Sequence, residues 1–298
     1  MRQLKRMLRH AEKKSPDNRS RFILKLLQNS AFRDFHSLKD IIKPEYRHAL
    51  LMLFWLIDFP SYFLIQLFVK DYSIVHCALD DLIPFREWFS IFYVLWFPYF
   101  MGTLLYTMLY DPPAFKRGMY SFMLIFTITK FIFLFLPNGV NLRPDPMPRN
   151  NIFTKLVLFL YGKDRSMNCC PSEHALGALI ALMMAFDSKK LSNPGVRAAY
   201  TFMAVMICLS ILYIKQHSVL DIAAAIPLLF LAWTLFYRKK AEGAKQEDGE
   251  AADMQKNRKA AEIQKNRKIA DIQKKRNTAA DTDREERNVK TEEEPCLS

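Results

Sequence analysis

The chain has 298 residues, of which 51% are hydrophobic, and a formal net charge of +13. Its mean hydropathy is close to zero, at -0.05, but the apolar residues are collected in long runs between two polar ends. That pattern is typical of an integral membrane protein and argues against two soluble domains. The basic residues lie at the termini and at the ends of the runs, not on a face interleaved with aromatic residues, so no nucleic-acid partner is predicted.

Six apolar runs are candidate membrane spans, since about 20 residues are needed to cross the hydrocarbon core. They are Leu50–Val69, Trp88–Tyr110, Gly118–Pro137, Ser172–Phe186, Ala198–Ile214 and Ser218–Tyr237. The fourth and fifth runs are short, and a pair of buried hairpin helices is the alternative for these two. The sequence predicts an all-α integral membrane protein, a six-helix bundle.

Three regions follow from this reading. Residues 1–48 form a basic N-terminal region, residues 49–240 the six-span membrane domain, and residues 241–298 a charged tail. The tail repeats every nine residues, and nine steps of about 100° turn a helix by roughly half a turn. Because no single apolar seam can form, the repeat predicts a charged helix or disorder and not a coiled coil.

The distribution of lysine and arginine predicts the topology. Residues 1–48 hold 13 Lys and Arg against 5 Asp and Glu, a net charge of 13 − 5 = +8. Further basic residues follow the second, fourth and sixth runs: Lys116, Arg117, Lys189, Lys190, Arg197, Arg238, Lys239 and Lys240. The positive-inside rule therefore assigns all of these regions, and both termini, to the cytoplasm.

The most informative segment joins the fifth and sixth runs and contains His217 and Asp221. Residues four apart share one face of a helix. An ionisable pair at a membrane boundary is costly and is by default a functional-site hypothesis. An imidazole oriented by a carboxylate is the arrangement of a nucleophile or a base, although a boundary histidine can also be a simple polar cap.

Two further segments carry phosphate-binding chemistry. Ser172 and His174 open the fourth run, and the first free amides of a helix bind anions. Arg143, followed by Pro144, comes after the third run and offers a planar, permanently charged fork to phosphate oxygens. Counting spans places Arg143, His174 and His217 on one side of the membrane, the extracellular or lumenal side. The catalytic site is therefore predicted at the non-cytoplasmic face.

At these residues the chain resembles the type 2 phosphatidic acid phosphatase superfamily, whose signature joins an Arg-Pro element, a Pro-Ser-x-His element and a Ser-Arg-x5-His-x3-Asp element in a six-span fold. The resemblance covers about residues 50 to 240, through Arg143-Pro144, Pro171-Ser172-Glu173-His174 and Ser210 through His217 to Asp221. It implies that His217 attacks phosphorus, that Asp221 orients it, and that His174 protonates the leaving group without a metal or a cofactor.

The chain departs from that signature at two cationic positions. The lysine of the first element falls at Leu136, and the arginine of the third falls at Ile211. Lys215 is the candidate replacement, in a Lys-Gln-His-x3-Asp pattern similar to that of bacterial members and sphingolipid-type headgroup transferases. Lys130 is a weaker substitute because it lies too far from Arg143. The predicted phosphate ligands are Arg143, Ser172 and Lys215.

The expected function is hydrolysis of a lipid phosphate ester, with the lipid phosphate in the bilayer as the partner. The alternatives are a lipid headgroup phosphotransferase of the sphingolipid or inositol type, and a non-catalytic membrane scaffold or transporter of the same fold, which the missing cations favour. No metal is predicted, because the five cysteines lack metal-ligand spacing and no carboxylate cluster suited to magnesium accompanies the motifs.

The topology is testable by cysteine labelling. In a background whose native cysteines are replaced, Asn141→Cys should react with a membrane-impermeant maleimide added outside intact cells, and Lys189→Cys should not. Lys189→Cys should react once the membrane is permeabilised, which controls for its accessibility. The reverse pattern would overturn the predicted topology.

Overall fold

The computed structural model describes residues 30–35 and 38–238. In this part of the chain the α-helices are α1 (Trp55–Phe68), α2 (Ala78–Leu82), α3 (Ser90–Tyr110), α4 (Pro112–Phe135), α5 (Ile152–Lys163), α6 (Glu173–Asp187), α7 (Pro194–Tyr213) and α8 (Val219–Phe236). Short 3-10 helices cover Leu38–Ile42, Arg47–Phe54, Glu87–Phe89 and Lys189–Leu191. Two strands, β1 (Ser73–Ile74) and β2 (Asn138–Gly139), pair in parallel with Ser73 opposite Asn138.

Five helical segments of the described chain are long and apolar enough to cross a membrane. They are Arg47–Phe68, Glu87–Tyr110, Pro112–Phe135, Pro194–Tyr213 and Val219–Phe236. The prediction of a mostly helical, multi-pass membrane protein is confirmed at this level. The fourth predicted run forms α6, whose 15 residues rise by roughly 22 Å, less than the roughly 30 Å of a hydrocarbon core.

Helix α6 lies at the centre of the bundle. Ser172 caps its first turn by accepting a hydrogen bond from the Ala175 backbone amide at 3.3 Å. It packs against α3, α4, α7 and α8. Seven of its side chains are completely buried: Ala175, Leu176, Ala178, Ile180, Ala181, Met184 and Ala185. A helix enclosed in this way by protein does not need the length of a lipid-facing span.

Aromatic rings fill the space between α3 and α4. The Phe122 ring lies 5.3 Å from that of Phe100 and 4.4 Å from that of Phe126, and all three side chains are buried. Helix α1 instead packs mainly on α4 and leaves a broad apolar face exposed, including Leu56, Ile57 and Phe68. Such a face is stable in the hydrocarbon of a membrane and unfavourable in water.

The basic ends of the helices meet at one end of the bundle. The Arg117 guanidinium donates to Asp187 Oδ2 from Nε at 2.8 Å and from Nη2 at 2.6 Å. Next to this pair, Ser188 Oγ donates to Asp111 Oδ2 at 2.7 Å and ties α6 to the connection between α3 and α4. These contacts fix the end of the bundle opposite to the His217 segment.

At the other end, the two strands order the loop that precedes α6. Gly139 is required there, because an added Cβ would lie 2.3 Å from the Ser166 carbonyl oxygen. The Asn138 side chain accepts from the backbone amides of Cys169 at 3.0 Å and Cys170 at 2.7 Å. Asn138 thereby fixes the backbone that leads into Ser172.

Part of the predicted N-terminal region packs on the membrane domain. The Ala31 amide donates to the Leu109 carbonyl at 2.6 Å, and His48 Nε2 lies 3.0 Å from the Met108 carbonyl oxygen. The described residues do not include residues 1–29, residues 36–37 or the repeat-containing tail from residue 239 onward. The predictions for these segments stay predictions.

Helix α5 is an element that the sequence analysis did not predict. Asn151 caps it through a hydrogen bond from the Thr154 amide at 3.0 Å. Its buried side is narrow, with Thr154 and Val157, while Ile152 and Phe159 are exposed. An asparagine cap followed by apolar residues three and four apart was the available signal.

Helix α2 holds the start of α8 through one buried carboxylate. Asp80 accepts from Ser218 Oγ at 2.6 Å, from the Val219 amide at 2.8 Å and from the Cys77 amide at 2.9 Å. Burial raises the pKa of Asp80, but these hydrogen bonds outweigh burial and hold the pKa below its ordinary value.

Asp80→Asn should therefore destabilise the protein at neutral pH by about 1.5–3 kcal/mol, the usual range for a hydrogen bond to a charged group. Because the pKa of Asp80 is lower in the folded state, its contribution is complete above the unfolded value of about 3.9 and is lost as pH falls through the folded value. Thermal unfolding in detergent should show the difference between wild type and variant closing below about pH 4. Asp81→Asn, at an exposed neighbour, is the matched control and should change stability little. A difference that persists unchanged into acid would contradict this role.

Candidate active site

The first turn of α8 builds the His217–Asp221 pair. The chain leaves α7 after Tyr213, and Ser218 then caps α8, with Asp221 at the third helical position. Asp221 Oδ2 accepts from the Ser218 amide at 3.0 Å and lies 2.9 Å from His217 Nδ1. The carboxylate is completely buried. The same oxygen thus caps the helix and orients the imidazole ring.

The surroundings of His217 assign its tautomer. Nδ1 faces two acceptors, Asp221 Oδ2 at 2.9 Å and the Cys169 carbonyl oxygen at 3.1 Å. Nδ1 therefore carries the proton, and Nε2 keeps its lone pair. Nε2 lies 3.3 Å from Ser172 Oγ. The nitrogen with nucleophilic or basic capacity is the one on the side of Ser172.

Helices α6 and α8 are joined at this point by backbone as well as side chains. The Ser172 amide donates to the Asp221 carbonyl at 3.0 Å. Ser172 is fully buried, and its hydroxyl both caps α6 and faces His217. These contacts fix the first turn of α6 relative to the first turn of α8, and with them the positions of His174 and His217.

His174 lies in the first turn of α6, with its ring centroid 5.7 Å from that of His217. It is held between the rings of Tyr93 at 4.4 Å and Trp96 at 4.7 Å, both from α3. Trp96 reaches this position because Gly177 has no side chain, and a Cβ there would lie 2.8 Å from the indole nitrogen. Aromatic contacts thus fix the second histidine beside the first.

Both histidines line a cavity of about 260 Å³. Its wall is largely aromatic, with Trp55, Phe59, Tyr62, Phe63, Trp96 and Phe97 from α1 and α3. Phe59, Phe63 and Phe97 also lie on the surface, at 56%, 44% and 49% exposure. The cavity therefore extends from the histidines to the apolar outer face of α1 and α3, and Lys163 and Arg165 line it as exposed cations.

Arg143 lies next to the site but is engaged by the protein itself. Its Nε donates to Gln216 Oε1 at 2.9 Å, and the remaining donors reach the carbonyls of Tyr161 at 3.2 Å and Asp164 at 2.5 Å. The guanidinium also stacks 4.0 Å above the Tyr161 ring. Arg143 thus supports Gln216, the neighbour of His217 and a residue of the cavity wall.

Lys215 points away from the cavity. Its backbone has a φ of 57°, and its Nζ donates to the Asp80 carbonyl at 2.6 Å. Burial lowers the pKa of Lys215 against the opposing charges of Asp80 and Asp81. In this conformation the side chain joins α2 to the loop before α8 and does not reach the two histidines.

Lys130 is paired with two carboxylates at the edge of the cavity. Its Nζ lies 3.1 Å from Asp58 Oδ1 and also contacts Glu173 Oε1. Asp58 and Glu173 line the cavity, so this ion cluster joins α1, α4 and α6 beneath it. A lysine paired with two carboxylates offers little charge to an anion in the cavity.

Two polar side chains of the site were not predicted to have a role there. Gln216 accepts hydrogen bonds from Arg143, and Asn138 orders the Cys169–Cys170 backbone. Gln216 is next to His217 in the sequence and had a positional signal, whereas Asn138 acts through contacts with a distant segment, for which one sequence holds no marker. The segment Tyr161–Asp164 was expected to shape the mouth of the site, and Asp164 accepts from Tyr62 Oη at 2.7 Å and from Tyr93 Oη.

One group of side chains has the spacing of metal ligands. Cys169, His217 and Asp221 each place one ligand atom within 4.8 Å of the others. Burial, and next the charge of Asp221, raise the pKa of the Cys169 thiol, and burial raises the pKa of Cys170 to about 12. A thiol must lose its proton to bind a metal, so the chemistry of this donor set disfavours a metal site.

Comparison with known proteins gives no match: no protein-family model, no curated protein and no solved structure matches this chain. The resemblance to the type 2 phosphatidic acid phosphatase superfamily therefore stays an interpretation of the motif residues.

Substitution of Lys215 distinguishes two roles for this residue: the contact with Asp80 seen in the structure, and the phosphate binding expected from the sequence. Since Nζ donates to the Asp80 carbonyl, Lys215→Met should lower the unfolding temperature. If the chain is the phosphatase expected from its sequence, kcat/KM for a lipid phosphate should fall by much less than the factor of about 10² to 10³ that removal of a phosphoryl donor costs. Lys215→Arg is the comparison variant, which keeps the charge. A loss of about 10² to 10³ in kcat/KM with Met and not with Arg would instead show that the lysine acts on the phosphoryl group.

Proposed function

We propose that the chain is a membrane-embedded lipid phosphatase that hydrolyses a lipid phosphate ester through a phosphohistidine intermediate on His217. The observation that carries the proposal is the oriented imidazole: Nδ1 is held by Asp221 at 2.9 Å, and His217 lines an apolar cavity together with His174. A nucleophile whose ring is fixed by a buried carboxylate, next to a second titratable group, is the expected arrangement for covalent catalysis.

In the first step, His217 Nε2 attacks phosphorus, and the bond between phosphorus and the lipid oxygen breaks. The leaving alkoxide takes a proton from the imidazolium form of His174 and departs as the lipid alcohol. The phosphorylated His217 ring carries a positive charge, which the Asp221 carboxylate stabilises through the Nδ1–H hydrogen bond.

In the second step, water attacks the phosphorus of phosphohistidine. Neutral His174 accepts a proton from that water, the bond between phosphorus and Nε2 breaks, and inorganic phosphate leaves. His174 returns to its imidazolium form and His217 to its neutral form. The proposed steps need only the two histidines and water for bond making, bond breaking and proton transfer.

The cavity supports a lipid as the substrate. Its wall is aromatic, and Phe59, Phe63 and Phe97 continue from the wall to the outer apolar surface. An acyl or prenyl chain can therefore stay in the hydrocarbon region while the phosphate reaches His217. Lys163 and Arg165 supply exposed positive charge along the same cavity, which favours an anionic headgroup.

Ser172 Oγ lies 3.3 Å from His217 Nε2, a contact that is also found in serine triads that transfer acyl groups. Two facts disfavour acyl transfer here. Ser172 is fully buried and does not line the cavity, and its Oγ is occupied as the cap of α6. Of Ser172 and His217, only His217 lines the cavity, so we propose that the imidazole and not the hydroxyl accepts the transferred group.

The proposal includes a bundle of six spans, with α6 as the fourth, and a site at the non-cytoplasmic face of the membrane. The parity of the predicted spans and the basic loops at the opposite end support this orientation. Transfer of the phosphoryl group to a lipid hydroxyl in place of water is the alternative outcome of the same intermediate.

The test is turnover of a panel of labelled lipid phosphates by purified protein in detergent with a chelator present. We expect wild type to release phosphate and His217→Ala to lose activity by a factor on the order of 10⁴ or more, as removal of a nucleophile does. Rapid quenching in base should trap an acid-labile phosphoryl-enzyme in wild type and not in His217→Ala.

His76→Ala is the matched control, because His76 forms an exposed pair with Asp81 at 3.0 Å outside the cavity. It should keep full activity. A labelled lipid product in place of free phosphate would indicate the transferase, and turnover by His217→Ala at the wild-type rate would exclude the mechanism.

A further inference from the structure

Asn168 is a buried polar residue of the cavity wall that the mechanism above does not use. It is 4% exposed and lines the same cavity as His174 and His217. Neither its Nδ2 nor its Oδ1 has a hydrogen-bond partner among residues 30–35 and 38–238. Buried amides are nearly always paired, so an amide with both ends open in a cavity indicates a ligand that completes them.

The backbone around Asn168 directs this side chain. Its φ is 59°, a left-handed conformation that asparagine tolerates better than most residues. The Asn168 backbone N–H donates to the Asn138 carbonyl at 2.7 Å. The carbonyl oxygen of the next residue, Cys169, lies 3.1 Å from His217 Nδ1. The side-chain amide of Asn168, which has no partner within the described residues, therefore belongs to a segment that is hydrogen-bonded to the proposed nucleophile.

We propose that the Asn168 side-chain amide binds the phosphoryl group of the substrate, with Nδ2–H donating to a phosphoryl oxygen while His217 attacks. This inference rests on the proposed function and names a ligand of the same site.

Three cations near the histidines are engaged by the protein itself, while Lys163 and Arg165 line the cavity as exposed side chains. Arg143 is bound to Gln216 and to two carbonyls, and Lys215 is bound to Asp80. Lys130 is shared by Asp58 and Glu173. Negative charge that develops on the phosphoryl oxygens requires a preorganised donor inside the cavity, and Asn168 Nδ2 is one that no protein group within the described residues occupies.

A structural role and a ligand-binding role predict different effects on stability. If Asn168 stabilised the fold, its removal would lower the unfolding temperature. An amide without partners adds no bond to the folded state, so its removal in the ligand-free protein should leave the unfolding temperature unchanged or higher. Glycine and aspartate both tolerate positive φ, and Asn168→Gly and Asn168→Asp therefore preserve the backbone.

The experiment measures three quantities for wild type, Asn168→Gly and Asn168→Asp in detergent: kcat/KM for the best lipid phosphate, the Kd of orthovanadate by calorimetry, and the unfolding temperature. We expect Asn168→Gly to lower kcat/KM by about 10² to 10³. Asn168→Asp should lower it further, because a carboxylate replaces the donor and repels the phosphate. The Kd of orthovanadate should rise in both variants. The unfolding temperature of Asn168→Gly should be no lower than that of wild type, whereas Asn168→Asp should unfold at a lower temperature because its carboxylate is buried without a partner.

Ser90→Ala is the matched control, since Ser90 Oγ is also buried without a partner in the described part of the chain but does not line the cavity. It should match wild type in kcat/KM and Kd. If wild type turns over and Asn168→Gly does so equally well, the role of Asn168 is overturned and the phosphatase stands. A loss of activity with a lower unfolding temperature and an unchanged vanadate Kd also overturns it. If wild type neither hydrolyses lipid phosphates nor binds vanadate, both proposals fail.

Discussion

Two buried carboxylates at the start of α8 hold the whole site together. Asp221 binds the Ser218 amide and His217 Nδ1, and Asp80 binds Ser218 Oγ and the Val219 amide. Both negative charges lie at the helix N-terminus, where free amides and the helix dipole stabilise them. Because these amides have no partner inside the helix, the carboxylates satisfy them and at the same time fix the position of His217.

The same constraint extends through the backbone to the rest of the site. The Ser172 backbone N–H donates to the Asp221 carbonyl, so α6 begins beside the first turn of α8. His174 is thereby placed next to His217. Asn138 in turn fixes the loop that ends at Ser172. A chain of hydrogen bonds therefore runs from β2 to α8. Its members lie in segments far apart in sequence, and packing of the central helix α6 is what brings them together.

The predictable part of this protein is the part with local periodicity. Long apolar runs located five candidate spans, with ends at most six residues from those of the structure. The spacing of His217 and Asp221 indicated their contact, but His217 precedes the Ser218 cap of α8, so the two residues do not share a helix face as predicted. The sequence did not reveal the direction of Lys215, because the chain has left α7 and turned through a positive φ at that residue. It also did not reveal that Arg143 acts through Gln216, since that contact joins residues 73 apart. Helix α5 was not predicted because it has only 12 residues and buries few of its side chains, although its asparagine cap and apolar spacing were visible in the sequence.

Ile211 occupies the position at which the resembled signature has an arginine, and its backbone still contacts the His217 loop. Its side chain is fully buried in the apolar core, where an arginine would need a partner for its charge. Its carbonyl nevertheless accepts from the Gln216 amide at 3.0 Å and the His217 amide at 3.1 Å. The backbone at this position therefore holds the His217 loop whatever the side chain is. In the proposed mechanism, no arginine at this position stabilises the bound phosphate. Lys130 at the cavity is already paired with Asp58 and Glu173, whereas the side-chain amide of Asn168 has no partner within the described residues.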